Sequence, residues 1–259
     1  MEIKNRDFRG RTAPLFSKEA EFLLLLSFLS CSFVTQGQNG HFPLKFSHLA
    51  GDFYIFTTFK EFKGVPFPAN GMYVVTNDGV LLLDTPWDST QFQPLLDSIQ
   101  MRHRQKVVLC LATHFHEDRT GGFLYYRQKG IKTFASQHTD RLCRERGEKR
   151  ADFLWEKDTS FTVGQYTLQT FYPGPGHTPD NAVVWFAKEK ILYGGCFVKS
   201  TEAKDLGNLQ DADTKAWSAS LQRVMRKFPD AYYVIPGHQD WENKSSLEHT
   251  LQLLRESRR

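Results

Sequence analysis

KVVLCLATHFHEDRTGG, residues 106–122, is a continuous apolar run that stops abruptly at a cluster of imidazoles and carboxylates. An unbroken stretch of Val, Leu and Cys, with no polar alternation, is the pattern of a parallel strand buried on both faces. Such a strand needs cover on each side, so the run points to an α/β protein. Its end carries His114, His116 and Asp118 at alternate positions. On a helix His114 and His116 would diverge by about 200°. They converge only on extended chain or a turn, which is where the strand end puts them. Imidazole nitrogens and carboxylate oxygens are donors that zinc takes at about 2.0–2.2 Å. A lone pair of alternate histidines reads more simply as core or surface; HxHxD at the edge of a buried strand reads as a metal site.

Upstream of this strand, FSHLAGDFYIFTTF, GMYVVTN and VLLLDTP within 46–84 read as strands, the last two joined by a tight Asp78-Gly79 turn. FKEFKGVPFPAN, between the first two, reads as a Gly/Pro loop rich in aromatics. STQFQPLLDSIQMR (89–102) reads as a helix despite Pro94. Downstream, helices are expected at FLYYRQKG, HTDRLCRER, 213–228 and SLEHTLQLLRES, with Asp213 or Thr214 capping the third. Strands are expected at KTFAS, TLQTFYP and AYYVIPGH, and on both sides of the turn Lys188-Glu189-Lys190. Both halves are strand-rich with outer helices. The expected fold is therefore α/β, a four-layer αβ/βα sandwich of two mixed β-sheets flanked by helices.

The 259 residues are 40% hydrophobic and 24% charged, the profile of a soluble globular protein. A net charge of +4 without a long basic run argues against nucleic-acid binding. FLLLLSFLSCSFV (22–34) follows Lys4, Arg6, Arg9, Arg11 and Lys18 and precedes TQGQNG. It is short for a membrane span and has the form of a signal-peptide core. Residues 1–37 are accordingly expected to be a signal peptide and 38–259 the catalytic domain, periplasmic, monomeric and without stable membrane insertion. Glu19 and Glu21 are untypical of such a leader, and a buried N-terminal helix is the alternative. Cys31 offers a lipoprotein anchor, against which Phe28 argues. Cleavage would leave Cys110, Cys143 and Cys196, an odd number that makes no disulfide framework.

Three more donors recur at strand ends. His177 follows TLQTFYPGPG, Cys196 follows ILYGG and His238 follows AYYVIPG, each behind a glycine that lets backbone and ligand approach a shared centre. Six donors exceed what one tetrahedral zinc takes, so two Zn2+ are implied, about 3.5–4 Å apart as in hydrolytic two-metal sites. The order HxHxD, GHTPDN, GGC, PGH resembles the metallo-β-lactamase superfamily over roughly residues 46–254. Within it, the chain is most similar to the class B β-lactamases with one cysteine ligand. ANGMYVV (69–75), LLLDTPW (81–87), VKSTEAKDLGNL (198–209) and SLEHTLQLL (246–254) extend the likeness. Thioester and phosphodiester hydrolases of the superfamily usually carry histidine where this chain has Arg119, and a bridging aspartate where it has Cys196. The mono-zinc carbapenemases have asparagine in place of His114.

The resemblance implies one zinc on His114, His116 and His177 and a second on Asp118, Cys196 and His238. It implies hydrolysis of the β-lactam amide of penicillins, cephalosporins and carbapenems, conferring antibiotic resistance. The nucleophile would be a hydroxide between the zincs, since zinc lowers the pKa of water from about 15.7 to about 7. Asp118 would orient it, Asn208 polarise the lactam carbonyl, and Lys199 bind the substrate carboxylate. Phe59, Phe62, Val65 and Phe67 would line a flap over the substrate, and Arg119 and Asp84 would orient the ligands. Plainer readings stand beside these: Lys199 as a solvated lysine, and the aromatics as packing on a sheet edge. Glu117 either weakens the attraction of substrate or faces water. Cys110 reads as an apolar filler, Cys143 as structural, and Trp87, Trp185 and Trp217 as packing. The rivals are a zinc hydrolase of thioesters, lactones or phosphoesters, and a zinc protein without catalysis.

Overall fold

Inward and outward side chains alternate along the strands and build two sheets. β1 (Lys45–Ala50), β2 (Phe53–Phe62), β3 (Val65–Thr76) and β4 (Gly79–Leu83) form an antiparallel meander. β5 (Val107–Leu111), β6 (Lys132–Ser136) and β7 (Phe153–Trp155) continue the sheet in parallel. β8 (Ser160–Val163), β9 (Tyr166–Phe171), β10 (Val183–Phe186), β11 (Ile191–Gly195) and β12 (Tyr233–Pro236) make the second sheet, antiparallel except for the β11–β12 pair. The computed structural model describes residues 44–62 and 64–257, all within the unit Gly40–Arg259. The expected leader, its cleavage site and Cys31 lie outside the described residues. Among those described, no helix is long and apolar enough to cross a membrane.

The helices are α1 (Phe92–His103), the single turn α2 (Glu117–Thr120), α3 (Phe123–Gln128), α4 (Gln137–Arg146), α5 (Thr214–Lys227) and α6 (Ser246–Glu256). In β4, Leu81 and Leu83 face the second sheet, where they meet Val184, Phe186, Ile191 and Ile235. Val80 and Leu82 point the other way, onto Leu95 and Ile99 of α1. On the far side, Trp217, Leu221 and Val224 of α5 cover Val183, Leu192 and Val234. The result is the expected αβ/βα sandwich of two mixed sheets. Each fully buried Leu, Ile or Phe contributes about 1.5–3 kcal/mol relative to exposure. Asp213 caps α5 by accepting the Ala216 amide at 2.9 Å.

Two stretches differ from expectation. FSHLAGDFYIFTTF is two strands, split at Gly51, whose φ of 51° few other residues adopt. The expected loop 59–68 is a hairpin arm: β2 and β3 stay paired from Phe59↔Pro68 out to Phe62↔Val65. Pro66 and Pro68 fit because they share the outward parity of Asn70, whose amide leaves the hairpin for Gly237 O. A proline there leaves no unpaired N–H on an open edge. β7 and β8, three and four residues long, were not foreseen.

Candidate metal centre

The carboxyl ends of β4, β5, β11 and β12 meet at one rim, the place where open α/β sheets bind ligands. β5 releases its chain into an extended stretch that ends at His116 (ψ 153°), ahead of α2. The GHTPDN turn is tied to the same stretch, because Ala182 N donates to Thr113 O at 2.8 Å. The rings of His114, His116 and His177 form a nearly equilateral triangle, with centroids 4.9, 5.0 and 5.1 Å apart. Beside it, Cys196 Sγ lies 3.2 Å from His238 Nε2 and 3.6 Å from Asp118 Oδ2, and those two atoms are 3.2 Å apart. Tetrahedral corners around a zinc with bonds of 2.0–2.3 Å are ~3.3–3.8 Å apart. This second trio therefore has the spacing of donors around one ion. Gly237 makes the approach possible: a Cβ there would sit 2.6 Å from Cys196 N.

The outer partners of the imidazoles fit the same reading. His238 Nδ1 meets Pro68 O at 2.8 Å and His116 Nε2 meets Asp211 Oδ2 at 3.1 Å, leaving His238 Nε2 and His116 Nδ1 for a ligand. His114 Nε2 and His177 Nδ1 are buried without any hydrogen-bond partner, a cost that a bound ion would remove. Burial holds both rings well below the usual imidazole pKa, and so neutral. Burial resists ionisation of Asp118, but Arg119 and then His238 outweigh it and hold the carboxyl well below its usual range. Burial pushes the Cys196 thiol far up despite Arg119, so its thiolate needs a stronger positive charge than the chain supplies. The six donors fit two zinc-type sites.

Arg119 is buried and joins the parts. Its guanidinium reaches Asp118 Oδ2 (2.8 Å), Cys196 Sγ (3.0 Å), Gly237 O (2.9 Å) and Asn70 O (2.7 Å), and lies 3.3 Å from Asp84 Oδ2. Asp84, at a left-handed φ of 63°, also takes Thr113 N (2.7 Å) and Tyr193 OH (2.8 Å). Burial raises its carboxyl from an ordinary 3.8 to about 6, against Arg119, Tyr193 and Thr113. A carboxyl harder to ionise in the fold than in the unfolded chain stabilises the fold below about pH 4, and that contribution is lost as pH rises through about 6. In urea melts of metal-free protein, Asp84→Asn should therefore lose less stability than the parent between pH 4 and 6. The difference should be up to about 3 kcal/mol; parallel curves would show that Asp84 ionises normally.

Lys199 lies in the segment after Cys196, its Nζ 5.3 Å over the Trp217 ring. α6 holds that segment: Thr250 Oγ1 accepts Lys199 N at 2.8 Å, and His249 Nε2 meets Ala203 O at 2.8 Å. Asn208 is exposed, and its Oδ1 accepts Gln210 N at 3.1 Å. Of the four hairpin residues, Phe67 stands 5.4 Å from the His238 ring, and Phe62 and Val65 are on its face. Phe59 faces the other way, its ring 5.2 Å from Lys45 Nζ. Trp87, expected to be packing alone, flanks His238 at 6.0 Å. Cys110 and Cys143 are buried, their thiols meeting Asp84 O at 3.8 Å and Phe115 O at 3.9 Å.

Sequence reasoning missed Asn70 and Asp211. Asn70 Nδ2 donates to Pro236 O and Gln239 O at 3.1 and 2.8 Å, clamping the loop that carries His238. Asp211 links His116 to Arg146, whose Nη2 is 2.9 Å from Oδ1. No spacing rule marks either residue; a polar side chain inside ANGMYVV, facing a buried strand, was the one available signal.

Residues 64–238 match the model of the metallo-β-lactamase superfamily, and the chain belongs to that family. A metallo-β-lactamase type 2 of Elizabethkingia meningoseptica is 40% identical over 82% of this chain and 86% of its own. Another from Bacteroides fragilis is 35% identical over 82% and 85%. The solved metallo-β-lactamase of Pontibacter korlensis superposes with a TM-score of 0.80 at 37% identity, over 82% of this chain and 99% of its own.

Proposed function

We propose that this chain is an exported, dizinc enzyme that hydrolyses the amide bond of β-lactams, carbapenems included, and confers resistance to them. The observation that carries this is the cysteine-containing trio of Asp118, Cys196 and His238 beside the triad of histidines. Its family and the names of its relatives agree with it. His114, His116 and His177 would hold one zinc and Asp118, Cys196 and His238 the other. Zinc supplies a nucleophile at neutral pH and a Lewis acid for the carbonyl.

The chain's own residues do the rest. Arg119 keeps Asp118 ionised, so its carboxylate can orient the attacking oxygen. The Lys199 ammonium, propped on Trp217, draws in the carboxylate that β-lactams carry. The Asn208 amide donates to the lactam oxygen as negative charge grows there. Phe62, Val65 and Phe67 exclude water above the reacting bond. The apolar run 22–34 supports export to the periplasm, with maturation near Gly37.

The chain beginning at Gln38 should hydrolyse a carbapenem, lose that activity to a zinc chelator and regain it with zinc. A folded protein holding two zincs that leaves every β-lactam intact would redirect the search to thioesters and lactones.

A further inference from the structure

The hairpin is fastened to the metal centre by contacts that the reaction does not use. Among the described residues β1 stops pairing at Lys45↔Thr57, and none of them adds a strand to the far edge of β2 beyond that point. The buried Gln91 side chain takes over as a substitute strand: its Oε1 accepts Phe59 N and its Nε2 donates to Phe59 O, both at 3.3 Å. One residue further, Lys60 Nζ lies 2.6 Å from Glu117 Oε2 and 5.4 Å from the Trp87 ring. Lys60 pairs across the hairpin with Phe67 and shares its face with Phe62. Trp87 touches both Phe62 (6.3 Å) and His238 (6.0 Å). Glu117 stands between His116 and Asp118, so a single ion pair joins the hairpin to the loop bearing three of the six donors.

We propose that Lys60 and Glu117 form a latch that determines specificity, holding the hairpin over the metal centre. The proposal rests on the hydrolase reading above for its kinetic part alone. Both side chains are partly exposed, at 36% and 55%, so the pair is screened and opens reversibly. A cleft of about 400 Å³, lined by Trp87, Phe92, Glu117, Leu124, Tyr125 and Glu148, adjoins it. Glu117, one half of the latch, and Trp87, which the Lys60 ammonium overlies, both line that cleft. While it is closed, an apolar substrate side chain meets Phe62 and Phe67 already in place. Once it is open, binding must order the hairpin and loses affinity. A β-lactam lacking the acyl side chain does not reach the hairpin and is indifferent.

The test is amide exchange at residues 59–67 in the zinc-loaded protein, with kinetics alongside. K60Q and E117Q should each exchange roughly two- to five-fold faster than the parent, the scale of an exposed ion pair. K60R should match the parent, and the double variant K60Q/E117Q should be no faster than either single one. About 0.5 M salt should speed the parent and leave K60Q unchanged. K60Q should raise KM by the same factor for substrates with a bulky apolar side chain, with kcat, and the KM of the compact substrate, preserved. Equal exchange in parent and K60Q, or additive effects in the double variant, would overturn the latch. Exchange is read without turnover, so a failure of the β-lactamase reading leaves that arm intact.

Discussion

Cys196→Ala should lower β-lactam turnover by more than ~100-fold and leave a folded chain with one zinc where the proposed centre would hold two. Outer partners of metal ligands alone cost 10–100-fold when removed, so a ligand should cost more. The substitution deletes one corner of the trio whose other atoms, Asp118 Oδ2 and His238 Nε2, are 3.2 Å apart. It leaves the histidine triangle untouched. The side chain is small and the thiol's burial pushes it toward the neutral form, so alanine introduces no unpaired charge. Zinc content by elemental analysis, read with steady-state rates, separates loss of metal from loss of fold. Two zincs with undiminished turnover would remove Cys196 from the centre.

Arg119→Met should destabilise the fold by about 3–5 kcal/mol, the cost of stripping one partner from a buried ion pair. Methionine keeps much of the volume, so the effect is electrostatic rather than a cavity. Asp118 would lose its buried counter-charge, and burial would then push the Asp84 carboxyl further toward its neutral form. The carbonyls of Asn70 and Gly237 would lose a donor each. Denaturant melts of metal-free protein isolate this, because a bound ion would mask part of the loss. A change below about 1 kcal/mol would mean that water replaces the guanidinium and that Arg119 is dispensable to the fold.

The candidate donors were proposed from the sequence because metal ligands must sit where several chain ends converge. His114, His116 and Asp118 follow β5 directly, and His177, Cys196 and His238 each follow a glycine beyond β9, β11 and β12. The layers were legible because unbroken apolar runs mark strands covered on both faces, and in β4 Leu81 and Leu83 face one core while Val80 and Leu82 face the other. The hairpin was not, because its composition is that of a loop. Only the three-dimensional edge explains why Pro66 and Pro68 tolerate pairing. Glu117 had two open readings, solvent or repulsion, and neither foresaw Lys60, 57 positions earlier in the chain. Asp211 is similarly remote, 95 positions from His116. Pairings at such separations leave no local period, so composition and spacing are silent about them.

The six donors are divided evenly between the two sheets. His114, His116 and Asp118 follow β5 of the first, whereas His177, Cys196 and His238 follow β9, β11 and β12 of the second. Ions bound there tie the sheets together across the sequence from 114 to 238, a long closed loop of chain. Among the described residues the three cysteines are unpaired. A metal held there would thus be the cross-link: it would stabilise the fold by binding the folded chain and not the unfolded one. Unlike a disulfide, it is insensitive to reductant and is withdrawn by a chelator. Scarcity of zinc would then threaten the persistence of the folded chain against proteases as well as its chemistry.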